Sequence, residues 1–182
     1  MKTKNSSPAR NVVLAALFLA LAFVLPMVTG HLPQVGNMLC PMHFPILLCG
    51  FVLGGPWGLA VGFAAPLLRS VLFGMPPMFP VAISMAFELA AYGLAAGVLR
   101  RFVRTGKRPL DLYIQLVSAM LIGRLVYGVM NALIFSAGNY SFAVFVSGAF
   151  VTALPGIVIQ LVLLPSLVVA LTKARLLRVR YA

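Results

Sequence analysis

The chain has 182 residues, of which 62% are hydrophobic and only 9% are charged, and its formal net charge is +12. About 25% of the residues in a soluble domain are charged, so this composition excludes an ordinary water-soluble fold. Apolar stretches of roughly 18 or more residues recur along the chain, and each is long enough to cross a bilayer. The alternating pattern of a transmembrane β-barrel is absent. We therefore expect an all-α integral membrane protein, since helices satisfy their own backbone in lipid.

The basic residues lie in short clusters at the ends of the apolar runs. Of the 14 Lys and Arg residues, only Arg69 and Arg124 fall elsewhere. The clusters do not form a basic face interleaved with aromatic residues, so no nucleic-acid partner is predicted. The positive-inside rule instead places residues 1–10, 54–57, 100–108 and 173–182 in the cytoplasm. This predicts one transmembrane domain over residues 1–182, with basic cytoplasmic tails at 1–10 and 173–182.

Six transmembrane helices are predicted in chain order, with both termini inside. They cover residues 11–28, 42–53, 57–73, 80–103, 110–135 and 145–171. The second is short, and Pro155 and Pro165 should kink the sixth. Residues 74–80 contain three prolines and are expected to form an ordered outer loop.

Glycines at positions 50, 54, 58 and 62 form a four-residue series of small residues, which lets helices approach closely in lipid. Pro56 interrupts this series. We therefore expect that the four glycines do not form one continuous contact surface. A second small-residue pair, Ala16 and Ala20, lies in the first helix.

Three charged residues lie inside predicted helices and away from their cytoplasmic ends: Arg69, Glu88 and Arg124. A charge in the membrane costs a few kcal/mol and usually faces a cavity in which it functions. At roughly 1.5 Å per residue, these side chains lie about 6, 12 and 16 Å from the outer ends of their helices. This predicts a pocket that opens to the outside, whereas Asp111 lies at the inner edge of the fifth helix.

Polar residues share the helical faces of Glu88 and Arg124. Tyr92 follows Glu88 by one turn, and Tyr127 and Asn131 follow Arg124 by one and two turns. A purely structural Arg–Glu pair is the alternative, but two arginines and one carboxylate leave one positive charge for an anionic ligand. The predicted substrate-binding residues are Arg69, Glu88, Tyr92, Arg124, Tyr127 and Asn131.

Metal binding and catalysis are also considered. His31, His43 and Cys40 lie in or beside the first outer loop, but loop histidines more often have no special role, and neither a metal nor a cofactor is predicted. An enzyme would need an acid or base partner at the depth of Glu88. No histidine, cysteine or second carboxylate is expected near Glu88, so the chain is not predicted to be an enzyme.

The block MHFPILLCGFVLGGPWGLAVGFAAPLLRSVLFGMPPMFPVAISMAFELAAYG, residues 42–93, is similar to S components of energy-coupling factor (ECF) vitamin transporters, in particular those of the pantothenate and folate type. The size, the six spans, the Ala16-x-x-x-Ala20 motif and the long first outer loop resemble the same family. The resemblance implies that a vitamin is captured from outside, in a pocket closed by residues 30–41 and 74–80. It also implies docking, through Ala16 and Ala20, on a transmembrane coupling subunit served by two ATPase subunits. The chain itself has no G-x-x-x-x-G-K-[ST] loop for ATP.

The excess of arginine favours an anionic vitamin, and pantothenate suits the predicted residues best. Folate, riboflavin and a vitamin precursor stay open. An ion-coupled secondary transporter of a small organic anion is the alternative function, although no internal repeat typical of such carriers is visible. The predicted location is the plasma membrane of a prokaryote.

Overall fold

In a computed structural model the chain is described at residues 8–28, 38–103, 105, 108–134 and 142–173. These residues form helices and their connections, with no strand among them. They comprise α1 (Pro8–Val28), α2 (His43–Leu53), α3 (Gly55–Phe73), α4 (Ile83–Phe102), α5 (Arg108–Ile134), α6 (Phe142–Val146) and α7 (Leu154–Lys173). Five of the helical segments are long and apolar enough to cross a membrane. The predicted all-α membrane bundle is confirmed, and most of the first outer loop and of both tails lies outside the described residues.

The second predicted span, α2, does not cross the membrane by itself. It has 11 residues, or about 16 Å at 1.5 Å per residue, against a hydrocarbon core of about 30 Å. It ends at Gly54, whose positive φ of 96° suits glycine and turns the chain directly into α3. Nearly all of α2 is buried. The first residue of α2, His43, is therefore held inside the bundle, well below the outer surface.

A glycine-lined contact joins α2 and α3 to α4. A Cβ on Gly58 would lie 2.5 Å from the Gly93 carbonyl oxygen, and one on Gly50 would lie 2.4 Å from the same oxygen. A Cβ on Gly62 would meet the Leu89 carbonyl oxygen at 2.3 Å. The chain does break at Gly54, but both pieces pack on the same side of α4. Gly50, Gly58 and Gly62 therefore contact α4 closely, whereas a Cβ on Gly54 would meet no described atom within 4 Å, so the four glycines form no single continuous surface.

The predicted sixth helix is divided into three pieces. The short α6 is followed by a π-helical turn, Ser147–Thr152, and α7 begins at Leu154, directly before Pro155. Proline has no N–H and its ring clashes with the carbonyl four residues earlier, which explains the break at this point. Pro165 lies inside α7. Because the helix breaks here, the outer end of α7 packs on the segment before α2.

The cytoplasmic connection between α4 and α5 is organised by Asp111, which is 1% exposed. The backbone N–H of Thr105 donates to Asp111 Oδ1 at 2.7 Å, and the Thr105 hydroxyl donates to the same oxygen. Gln115 Nε2 donates to the Val103 carbonyl at 2.9 Å. Asp111 therefore has a local structural role at the inner end of the bundle.

Candidate substrate-binding site

Glu88 on α4 and Arg124 on α5 form an ion pair inside the bundle. Arg124 Nη1 donates to Glu88 Oε1 at 3.0 Å. The two residues are only 1% and 6% exposed, respectively. A buried charge without a partner would be strongly destabilising, so each residue requires the other. The structure thus brings together two of the predicted site residues that lie on neighbouring helices.

His43 and Cys40 also reach this ion pair, contrary to the expectation that no histidine or cysteine lies near Glu88. His43 Nε2 is 3.2 Å from Glu88 Oε1, a close polar contact whose geometry falls short of a directed hydrogen bond. Arg124 Nη2 donates to Cys40 Sγ at 3.5 Å. The depth estimate failed here because it treated residues 30–41 as an outer loop, whereas α2 begins inside the bundle.

The segment that carries Cys40 is held against α7. A Cβ on Gly156 would lie 2.6 Å from the carbonyl oxygens of both Met38 and Leu39, so only glycine permits this approach. Gln160 Nε2, one turn further along α7, donates to the Cys40 carbonyl at 3.4 Å. Gly156 and Gln160 therefore determine how deeply the segment enters the bundle and where it presents Cys40 and His43.

Tyr92 packs directly beneath this cluster. Its ring meets the His43 ring edge to face, with centroids 5.1 Å apart, and it is 0% exposed. Gly123 on α5 provides the space, because a Cβ there would lie 2.5 Å from the Tyr92 ring. Tyr92 is thus placed beside the ion pair, as its spacing from Glu88 indicated.

Asn131 lies further out along the same α4–α5 contact. The Ser84 hydroxyl donates to Asn131 Oδ1 at 3.3 Å, and Asn131 Nδ2 donates to the Tyr127 carbonyl at 2.8 Å. Asn131 is 4% exposed, whereas the Tyr127 side chain is only partly buried. Tyr127 and Asn131 extend the polar surface from Arg124 towards the outside, although the Asn131 side chain already forms two hydrogen bonds.

Arg69 is buried but does not join the Glu88–Arg124 pair. Its Nη1 donates to the Phe23 carbonyl of α1 at 2.9 Å, and its guanidinium lies 5.5 Å from the centre of the Phe73 ring. Neither of the two acidic residues of the chain forms an ion pair with it within the described part of the structure. Two buried arginines and one buried carboxylate were predicted to leave one positive charge without an ion-pair partner. Arg69 carries that charge.

The relative height of Arg69 follows from the α3–α4 contact. Gly58 lies opposite Gly93 and Gly62 lies opposite Leu89 in this antiparallel pair. Extrapolated along α3, this places Arg69 about six residues, or about 9 Å, outward of Glu88. The uncompensated positive charge is thus nearer the outer surface than the neutralised Glu88–Arg124 pair.

Four buried polar atoms of the cluster have no hydrogen-bond partner among the described residues: His43 Nδ1 and Nε2, the Tyr92 hydroxyl and Arg124 Nε. A buried polar group without a partner costs about 1–3 kcal/mol. Such atoms are available to hydrogen-bond a polar ligand or water. No group of three or more metal-ligating side chains occurs among the described residues, and His31 lies outside them.

The two predicted docking residues, Ala16 and Ala20, are exposed on α1. The opposite face of the same helix is buried through Ala15, Phe18 and Ala22, which are 7%, 5% and 0% exposed. The small-residue pair is thus directed away from the bundle. It is available to another helix in the membrane.

Comparison with known proteins identifies the family. The family described as "ECF transporter, substrate-specific component" matches residues 10–168, most of the chain. The chain belongs to this family. No match was found among curated proteins or among solved structures. Family membership assigns this multi-pass membrane protein to transport.

Three residues of the cluster were not among the predicted site residues, namely His43, Cys40 and Gln160. Two signals pointed to them. The second apolar segment is too short to cross the membrane, so the residue at its outer end had to lie inside the bundle. Gln160 is an isolated amide in an otherwise apolar helix, and such residues usually bond to a neighbouring segment.

Proposed function

We propose that this chain captures a small carboxylate-bearing vitamin from outside the cell and delivers it to an ATP-driven import complex of the plasma membrane of a prokaryote. Pantothenate is the favoured cargo within this class. The substrate-binding residues proposed are Arg69, Glu88, Tyr92, Arg124, Tyr127 and Asn131. Membership of the substrate-specific component family supports the capture role, and the cargo follows from the charges and polar groups at the site.

The single observation that supports a carboxylate-bearing cargo is the positive charge of Arg69, which no carboxylate of the described residues neutralises. Arg124 is neutralised by Glu88 at 3.0 Å, and Asp111 bonds locally to Thr105 at the inner end. Arg69 is 4% exposed, without an ion-pair partner among the described residues. A carboxylate of the cargo would satisfy this guanidinium through charge-assisted hydrogen bonds.

The polar cluster around Glu88 supports a cargo that also carries uncharged polar groups. The ion pair is internally neutral, so a second charged group of the cargo would gain little there. Hydroxyl and amide groups suit the unpartnered atoms of His43, Tyr92 and Arg124. Pantothenate has this composition, with a carboxylate at one end, two hydroxyls at the other and an amide between them.

Transport would require partners, and α1 supports the mode of docking. Ala16 and Ala20 leave a shallow exposed surface on α1, against which a helix of a transmembrane coupling subunit can pack closely. Two ATPase subunits would then supply the energy, since the chain has no phosphate-binding loop of its own. The bound vitamin is released to the cytoplasm when the complex reorients.

Reconstitution into liposomes tests this function. The purified chain alone is expected to bind labelled pantothenate without accumulating it, whereas the chain with the coupling subunit, both ATPases and internal ATP accumulates it. Accumulation by the chain alone under a proton or sodium gradient would instead favour an ion-coupled secondary transporter.

A further inference from the structure

The buried polar atoms of the cluster that lack a hydrogen-bond partner in the described part of the chain belong to three side chains from three different helices. His43 begins α2, Tyr92 lies in α4 and Arg124 lies in α5. The two rings are in edge-to-face contact at 5.1 Å. Glu88 Oε1 contacts both His43 Nε2 at 3.2 Å and Arg124 Nη1 at 3.0 Å. The Glu88 carboxylate thus contacts both His43 and Arg124, and the Tyr92 ring packs against the His43 ring.

We propose that His43, Tyr92 and Arg124 form a subsite that recognises an uncharged hydroxyl of the cargo, while Arg69 binds its carboxylate. This inference rests on the proposed function and adds His43 to the binding residues. It also assigns an orientation: the carboxylate points outward and the uncharged end lies deep in the bundle.

The charge at the level of Arg69 and the charges at the deeper level of Glu88 and Arg124 support this orientation. Arg69 lies about 9 Å outward of Glu88 by the register of α3 and α4 and has no carboxylate partner. At the deeper level the charge of Arg124 is already neutralised, so this subsite offers hydrogen bonds rather than net charge. Tyr92 and His43 are 0% and 3% exposed. Buried polar groups of this kind discriminate strongly against a ligand that lacks the matching group, because they would then stay unpaired.

Tyr92→Phe provides the decisive variant, because it removes only the unpartnered hydroxyl and keeps the ring. The empty protein should be as stable as the wild type or more stable, since no hydrogen bond is lost. Pantothenate should bind about tenfold more weakly, the cost of one buried hydrogen bond. The probe for comparison is N-(3,3-dimethylbutanoyl)-β-alanine, which keeps the carbon skeleton, amide and carboxylate but lacks both hydroxyls. Its affinity should not change in Tyr92→Phe.

Two further variants complete the test by isothermal titration calorimetry in detergent. His43→Leu should likewise weaken pantothenate more than the dideoxy probe, whereas Arg69→Met should weaken both ligands by a similar factor. Tyr113→Phe is the matched control, because Tyr113 is 43% exposed on α5 and should bind both ligands normally.

The outcomes separate this inference from the proposed function. Pantothenate binding by the wild type with unchanged affinity in Tyr92→Phe, or with equal losses for both ligands, would overturn the subsite. A wild-type protein that binds neither carboxylate would overturn the proposed cargo and the subsite with it.

Discussion

Glu88 Oε1 accepts a hydrogen bond from Arg124 at 3.0 Å and lies 3.2 Å from His43 Nε2, so one carboxylate oxygen connects α2, α4 and α5. All three side chains are nearly excluded from solvent. This contact is the central polar feature of a bundle that is otherwise held together by apolar packing and glycine contacts. It can serve binding, helix association or both, and substitutions distinguish these roles.

Removing one partner of the Glu88–Arg124 ion pair should destabilise the folded protein more than removing both partners. Arg124→Met leaves the Glu88 carboxylate buried and unpaired, which costs about 3–5 kcal/mol. The double variant Arg124→Met with Glu88→Leu replaces the pair by apolar groups of similar size and should recover most of that stability. Thermal unfolding in detergent measures this recovery.

Vitamin binding by the same two variants tests whether the pair is more than a structural link. Neither variant should bind the cargo, because both lack Arg124 Nε and the double variant also lacks the carboxylate beside His43. A double variant that regains both stability and affinity would show that the pair only joins the helices.

The placement of His43 should depend on Gly156. Gly156→Ala would put a Cβ 2.6 Å from the backbone of Met38 and Leu39, and this backbone must then move away from α7. The shift would displace Cys40 and His43 and lower cargo affinity about tenfold, equivalent to one lost hydrogen bond. Gly148→Ala is the control, because a Cβ on Gly148 meets no atom within 4 Å. Equal affinities in the two variants would show that this contact does not position the site.

The contact between α3 and α4 should tolerate no added methyl group at its centre. A Cβ on Gly93 would lie 2.2 Å from the Gly58 carbonyl oxygen, so the helices must separate. The expected cost is about 1–3 kcal/mol or more, typical of overpacking. A lower unfolding temperature of Gly93→Ala, with Gly148→Ala close to the wild type, is the predicted result. Unchanged stability of Gly93→Ala would contradict this description of the contact.

Docking on the coupling subunit should be separable from binding. Ala16→Trp and Ala20→Trp place a bulky ring on the exposed face of α1, away from the buried cluster. These variants should bind the vitamin normally but fail to co-purify with the coupling subunit and its ATPases. Ala132→Trp, on the exposed surface of α5, is the matched control and should assemble. Normal transport by Ala16→Trp would remove the docking role from this face.

The amino-acid sequence predicted the helices and the charged residues of the site more reliably than their arrangement. Apolar length identified the membrane segments, because lipid requires continuous helical hydrogen bonding. One-turn spacing placed Tyr92 beside Glu88 and Asn131 beyond Arg124, as the structure has them. These relationships are local to a single helix, and helical geometry alone specifies them.

Relationships between helices were harder to predict. Depth estimates placed Arg69 and Arg124 in one half of the membrane but could not give the order of helices around the bundle. Arg69 contacts Phe23 of α1, whereas Arg124 contacts Glu88 of α4. His43 was missed for a related reason, since the depth at which α2 begins depends on how its preceding segment packs against Gly156 and Gln160. Such tertiary contacts do not follow from the pattern within one segment.

Equilibrium binding of a vitamin panel to the detergent-purified chain tests the central claim most directly. Pantothenate heads the panel, with folate, riboflavin, thiamine and panthenol, in which a hydroxymethyl group replaces the carboxylate of pantothenate. The account predicts tight, saturable binding of a carboxylate-bearing vitamin, pantothenate first, and much weaker binding of panthenol because Arg69 then lacks its anion. Tight binding of cationic thiamine, or equal affinity for pantothenate and panthenol, would contradict it.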